Sequence, residues 1–154
     1  MSNTTFEEYL AAHGSLTYKN VGVSMLPLLK QGRDVFTVRR VGEGEICRKW
    51  DVVLYKRPPD AYVLHRIIRV RDDGKYDILG DNCIGVERGV PQENVIGVMT
   101  NFVRKNKPCT VNDRMYRLYV ALWCKPYRFR TALKWCGYRI KQVCRVLIPR
   151  RRRG

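Results

Sequence analysis

The sequence predicts a mainly β fold: an antiparallel, curled or barrel-like sheet with a short N-terminal helix and C-terminal amphipathic helices. Three observations predict it. Short β-branched runs, "DVFTV", "DVVLYKR", "AYVLHRIIRV", "KYDIL" and "NVIGVMTNFVRK", follow one another between turn residues. No helix-length segment separates them, which argues for antiparallel neighbours and against βαβ crossovers. Helical periodicity is confined to the two ends of the chain.

Taken in order, "TTFEEYLAAHG" reads as a short helix capped by Thr4 or Thr5, with Glu7 and Glu8 in the first turn and Gly14 just past the end. In "VGVSMLPLLKQGRD", Val21 to Asp34, a small hydroxyl, Ser24, interrupts an apolar run that stops at Pro27. Read alone, Ser24 is either part of a strand end turned by Pro27 or a positioned nucleophile. The β runs are separated at Gly42 to Gly44, and two hairpins are expected at Pro58 to Asp60 and Asp72 to Gly74.

From Asn112 the pattern turns helical, capped by Asn112 or Asp113, with Met115, Leu118, Tyr119 and Leu122 at i, i+3, i+4 and i+7. Pro126 interrupts it. In a second helix from about Pro126 to Ile148, Phe129, Leu133, Cys136, Ile140, Val143, Cys144 and Leu147 fall within about 60° of one direction. Arg128, Arg130, Lys134, Arg139, Lys141 and Arg145 lie outside that sector. The chain divides into a helix and lead-in (1–20), a β-domain (21–111) and a basic helical tail (112–154).

At 154 residues the chain is long enough for one domain with a real core. Its charge is uneven: residues 1–112 carry 17 Lys+Arg against 13 Asp+Glu, and residues 113–154 carry 13 against 1. A negatively charged partner is therefore to be sought at the tail, which ends in "PRRRRG", and not on the body. No apolar run reaches the roughly 20 residues of a membrane-spanning helix. The six cysteines contain no CxxC pair and the two histidines, His13 and His65, do not sit at zinc-ligand spacing among them. No metal or cofactor is expected, and the cysteines read as free, buried thiols.

"VSMLP", "GRDVFTV", "VLHRIIRV" and "GDNCIGVERG", in this order and spacing, resemble the signal peptidase and SOS-repressor superfamily of serine peptidases over roughly Val21 to Gly97. The family pattern is an SMxP nucleophile turn, a GD-hydrophobic strand, a strand bearing the base, then GDN. The resemblance implies a signal-peptidase fold with Ser24 as nucleophile. With histidine then arginine on the base strand, the sequence is similar to the branch of the endoplasmic reticulum, archaea and some Gram-positive bacteria, which makes His65 the base. The family orients that base with acids of the GDN segment. Asp81 matches the first, and Glu87 falls where aspartate is usual, so both are candidates. Gly22 stands where signal peptidases often carry an oxyanion-binding serine, which leaves that task to backbone N–H groups including that of Ser24.

The chemistry fits these residue types. Imidazole takes a serine proton at neutral pH, and a carboxylate fixes its tautomer and stabilises the imidazolium. The expected function is a signal-peptidase-like serine endopeptidase acting on a precursor protein or peptide. A self-cleaving regulatory module and a non-catalytic protein whose basic tail binds nucleic acid are the alternatives; the latter leaves Ser24, His65 and Asp81 unexplained. The 23 residues before Ser24 are polar, so no spanning anchor is expected. Peripheral attachment to an anionic membrane surface through the tail, on the cytoplasmic face, is expected in its place.

Overall fold

The computed structural model describes residues 4–147, with side chains as far as Ile140. Helix α1 (Phe6–His13) begins with a capping box in which Thr5 and Glu8 satisfy each other's backbone N–H groups, and ends at Gly14, whose φ of 73° is left-handed. Eight strands follow: β1 (Ser15–Lys19), β2 (Val35–Arg40), β3 (Val52–Arg57), β4 (Ala61–Val70), β5 (Tyr76–Leu79), β6 (Glu87–Val90), β7 (Val95–Arg104) and β8 (Lys107–Thr110). They form one antiparallel sheet in the order β1-β2-β7-β3-β4-β5-β6, with β8 folded back on β7.

Both expected hairpins are present, β3–β4 and β4–β5. The three strands the β-branched runs did not signal, β1, β6 and β8, are short and mostly exposed or half-buried. Curling or barrel closure does not occur: the sheet is open, with β1 and β6 at its ends. Closure needs a continuous ladder between the end strands. β6 is four residues long, contains Gly89 at positive φ and is followed by Pro91, which has no N–H to donate.

Two cores lie on the sheet. The larger joins Leu10 of α1, Leu16, Phe36, Val38, Leu54, Leu64, Met99 and Phe102 of the strands, Met25, Leu28 and Leu29 of the segment around Ser24, and Tyr116, Val120 and Cys124 of the C-terminal region. The smaller gathers Val53, Tyr55, Ile67, Tyr76, Ile78, Val95 and Val98 under the loop at Cys47. Cys47 and Cys124 are buried thiols as expected, but Cys83 and Cys109 are half-buried and Cys136 is exposed; the Cys144 side chain lies outside the described residues.

The C-terminal region comprises α2 (Arg114–Tyr119), a π-helical turn (Val120–Cys124) and α3 (Tyr127–Leu147). No helix of the described residues is long and apolar enough to cross a membrane. Asp113 stands at the N-cap, although its carboxylate serves Thr110. On α2 and the turn after it the periodic set divides, with Tyr119 packed against the larger core. Tyr116, Val120 and Cys124 point inward, while Met115, Leu118 and Leu122 are exposed. On α3, Phe129, Leu133 and Ile140 are exposed. Arg150 to Arg153 and the rest of the chain after Leu147 lie outside the described residues.

This orientation has a measurable consequence. Val120→Ala should destabilise the domain by about 1–3 kcal/mol in urea denaturation, and Leu122→Ala should stay within about 0.5 kcal/mol of the parent. Equal losses would contradict the orientation of this helix.

Candidate active site

Ser24 lies in a succession of tight turns, not on a strand or at a strand end. Gly22, at φ 84°, opens it in a conformation that favours glycine. Val21 and Val23 face solvent while Met25, Leu28 and Leu29 are buried, so the apolar run anchors the turns from beneath. Two asparagines fasten them. The buried Asn20 donates from Nδ2 to the carbonyls of Gly22 and Leu29, and Asn82 donates its N–H to Ser24 O at 2.7 Å and its Nδ2 to Val23 O at 3.1 Å. The serine is thereby held at the rim of a groove of about 710 Å³ lined by Ser24, Tyr62, His65, Asn82, Cys83 and Glu87 among others.

His65 comes to the same groove from β4 and is nearly buried. Gly80 explains how closely the segments meet. A Cβ there would stand 2.9 Å from His65 Nε2, 2.9 Å from the Ser24 carbonyl oxygen and 2.7 Å from Cys83 Sγ. Any larger residue would push apart the serine turn, the imidazole and the Gly80–Asn82 turn.

The two candidate acids have separate fates. Asp81 is turned away from the groove and takes a two-pronged bond from Arg66, Nε to Oδ1 at 2.8 Å and Nη2 to Oδ2 at 2.7 Å. Tyr119 OH donates to the same Oδ2, and Cys124 Sγ lies 3.7 Å from Oδ1. Arg66 spends Nη1 on the Trp50 carbonyl and the Tyr116 hydroxyl. Burial works against the Arg66 charge, but Asp81 outweighs it and raises the guanidinium pKa. Burial also pushes the Cys124 thiol up to about 12, so it stays a donor. Asp81 therefore ties together β4, its own turn and the C-terminal helices.

Glu87, on β6, is the acid that reaches the imidazole: Oε1 lies 3.3 Å from His65 Nδ1. The contact has an ion pair's distance but not a hydrogen bond's alignment, since Nδ1 is buried without a formed bond. Arg57 is the reason, because Nε donates to Glu87 Oε2 at 2.9 Å and Nη2 to Oε1. Burial would raise the Glu87 pKa, but the Arg57 bonds and charge prevail and hold it below the carboxylate's usual value. At His65, burial lowers the pKa below its ordinary value; Glu87 opposes this and Arg57 adds to it.

One edge of the groove is an unpaired stretch of strand. β5 pairs with β4 only from Arg66 onward, and no other strand pairs with that side of Ala61 to His65 among the described residues. Ile67 exchanges backbone bonds with the Trp50–Asp51 segment leading into β3. Alternation along the strand then turns the backbone groups of Val63 and His65 toward β3, and those of Tyr62 and Leu64 toward the groove.

Of the four candidates the sequence offers, the structure brings Ser24, His65 and Glu87 to one groove and turns Asp81 away from it. Sequence reading did not single out Arg57, whose partner is 30 residues away, or Asn20 and the buried Arg66. The "HR" of "VLHRIIRV" and the "GDN" run were the available signals, but neither states that Arg66 and Asp81 bind each other. No family model matches the chain, and no curated protein matches it.

Two substitutions probe the construction. Asp81→Asn leaves the Arg66 charge buried without its counter-ion and should cost about 3–5 kcal/mol in equilibrium denaturation, whereas pairing it with Arg66→Met should recover part of that loss. Gly80→Ala should abolish whatever chemistry the groove performs while leaving most far-ultraviolet circular dichroism intact. Unchanged stability of Asp81→Asn would remove the structural role given to that residue.

Proposed function

We propose that this chain is a serine endopeptidase of the signal-peptidase type, cleaving a peptide bond in an extended segment of a precursor protein or peptide. One observation carries the reading: Ser24, His65 and Glu87 converge on a single groove, with the carboxylate on the Nδ1 side of the imidazole and Ser24 in the turn that meets Nε2 over Gly80. The motif resemblance supports the same assignment of roles.

The substrate enters as an added strand. Its backbone pairs with the outward groups of Tyr62 and Leu64, which supplies affinity without reading sequence and brings a peptide carbonyl toward Ser24. The Ser24 hydroxyl attacks that carbonyl as His65 Nε2 takes its proton, through a hydroxyl-to-imidazole hydrogen bond that must form when substrate fills the groove. The Ser24 N–H and neighbouring backbone donors stabilise the oxyanion. His65 then returns the proton to the leaving amine, and water, activated by the same base, hydrolyses the acyl-enzyme.

As the proton is transferred, Glu87 closes onto Nδ1–H, fixes that tautomer and meets the charge that appears on the ring. Arg57 moderates it. Burial keeps the resting imidazole uncharged and ready to accept a proton, and the Arg57–Glu87 pair, nearly neutral as a unit, does not overturn this. The buried site also explains why lysine is not required here as base, since imidazole needs only modest desolvation to remain neutral at pH 7.

Ser24→Ala should eliminate hydrolysis of a cleavable precursor peptide with an unchanged thermal midpoint. Residual turnover at the parent rate would end the peptidase reading.

The pH dependence follows from the signs. The base acts only when neutral, so kcat/KM should be level at neutral pH and fall as the pH drops through the His65 pKa, which lies below about 6.5. Glu87→Gln removes a charge that raises this pKa, so the acid limb should move to lower pH, with the plateau reduced by about a hundredfold or more. Arg57→Met removes a charge that lowers it, and the limb should move to higher pH. If neither substitution moves the limb, His65 is not the titrating base.

A further inference from the structure

Helix α3 reverses the usual arrangement of an amphipathic helix on a protein, in which the apolar stripe is buried and the cations stay in water. Tyr127, Arg130, Thr131 and Lys134 form the half-buried side of α3. Lys134 Nζ donates to the Asn82 carbonyl and side-chain oxygens, and Arg130 donates to the Trp123 carbonyl while standing over its ring. On the opposite side Phe129, Leu133, Cys136 and Ile140 are exposed, Phe129 at 70 % and Ile140 at 63 %. Met115, Leu118 and Leu122 add an exposed apolar face on the preceding helical turns.

We propose that this outer face docks on the surface of an anionic lipid bilayer. Three features select that occupant. The apolar residues are accompanied by the exposed cations Arg114, Arg117, Lys125, Arg128 and Arg139, and the one acid among residues 113–154, Asp113, is engaged by Thr110. The exposed Trp135 carries the Arg139 guanidinium over its ring at 5.0 Å, an arrangement suited to the headgroup layer. A second copy of the chain is disfavoured as the occupant, because it would bring together two segments with 13 cations and 1 acid each. α3 is too polar to cross the bilayer, so it lies along the surface, apolar side down.

Docking sets the groove at that surface. Trp123 Nε1 donates to the Asp81 carbonyl at 3.1 Å and Lys134 grips Asn82, so these helices are fastened to the turn that holds Ser24 and flanks His65. The lipid contact itself does not depend on the peptidase reading.

The test is co-sedimentation of the full chain with vesicles of phosphatidylcholine alone and of phosphatidylcholine mixed with phosphatidylglycerol, at low and high salt. Partitioning should favour the anionic vesicles by about tenfold or more and weaken as salt rises. The double variant Leu133→Asp, Ile140→Asp should lose about tenfold or more of that binding with no drop in thermal midpoint, because both side chains are exposed. Ser24→Ala should bind like the parent, which keeps a failure of the peptidase reading separate. The proposal is overturned if the chain ignores anionic vesicles, or if the double variant binds them as well as the parent, leaving the arginines alone responsible. It is also overturned if sedimentation shows a dimer that the double variant dissociates, or if the chain captures single-stranded RNA but no vesicles.

Discussion

The buried pair of Arg66 and Asp81 is the contact on which the rest of this structure depends. Two charges removed from water cost several kcal/mol each, and their attraction offsets this only where geometry is close and remaining valences are filled. Here the guanidinium and carboxylate meet through two parallel bonds, the spare guanidinium nitrogen reaches Trp50 and Tyr116, and the carboxylate accepts from Tyr119 as well. These partners come from β4, the loop before β3, the Gly80–Asn82 turn and the C-terminal helices. Few apolar contacts could join four such segments with one orientation. The pair therefore specifies where the Gly80–Asn82 turn lies, and that turn in turn holds Ser24 through Asn82 and abuts His65 through Gly80.

Once Asp81 is committed to Arg66, a different acid must serve the imidazole. Glu87 stands on a strand that pairs with β5, one strand removed from His65, and a glutamate's extra methylene covers that span. The longer side chain is also more easily shared, which Arg57 exploits. The result is an imidazole surrounded by charges that nearly cancel, set in a buried site that favours its neutral form. A single unshared carboxylate at the same place would raise the His65 pKa and leave more of the base protonated at neutral pH.

Much of this was legible in the sequence wherever the information was local. The capping box at Thr5 and Glu8, the left-handed Gly14, the two hairpins and the long strands all follow from residues within a few positions of one another. The motif order also singled out Ser24, His65 and Glu87, which line one groove, together with Asp81, which does not. What escaped was long-range. β1 and β8 gain strand conformation from the neighbours they pair with, since their own burial is slight. The pairing of Arg57 with Glu87 joins β3 to β6, and nothing in either run announces it. Closure of the sheet was overestimated because alternating hydrophobicity reports that a strand has a buried face, not whether that face is covered by a curling sheet or by helices and loops.

The helices illustrate the same limit most clearly. Periodicity identified which residues share a face of α3 but not which face meets the protein, because it contains no account of the surface being met. That surface is rich in oxygen acceptors: the Asp81 and Asn82 carbonyls, the Asn82 side chain and the Trp123 carbonyl. A helix presenting Phe129, Leu133 and Ile140 to it would strip water from those oxygens without replacing their hydrogen bonds, at a cost of about 1–3 kcal/mol for each group left unsatisfied. A helix presenting Lys134 and Arg130 satisfies the Asn82 and Trp123 oxygens, and Trp123 Nε1 takes the Asp81 carbonyl. The polar demand of the turn thus decides the orientation of the helix, and the apolar residues end on the outside as a consequence. The groups that hold the Ser24 turn in place are the same ones that leave an apolar, cation-flanked face exposed.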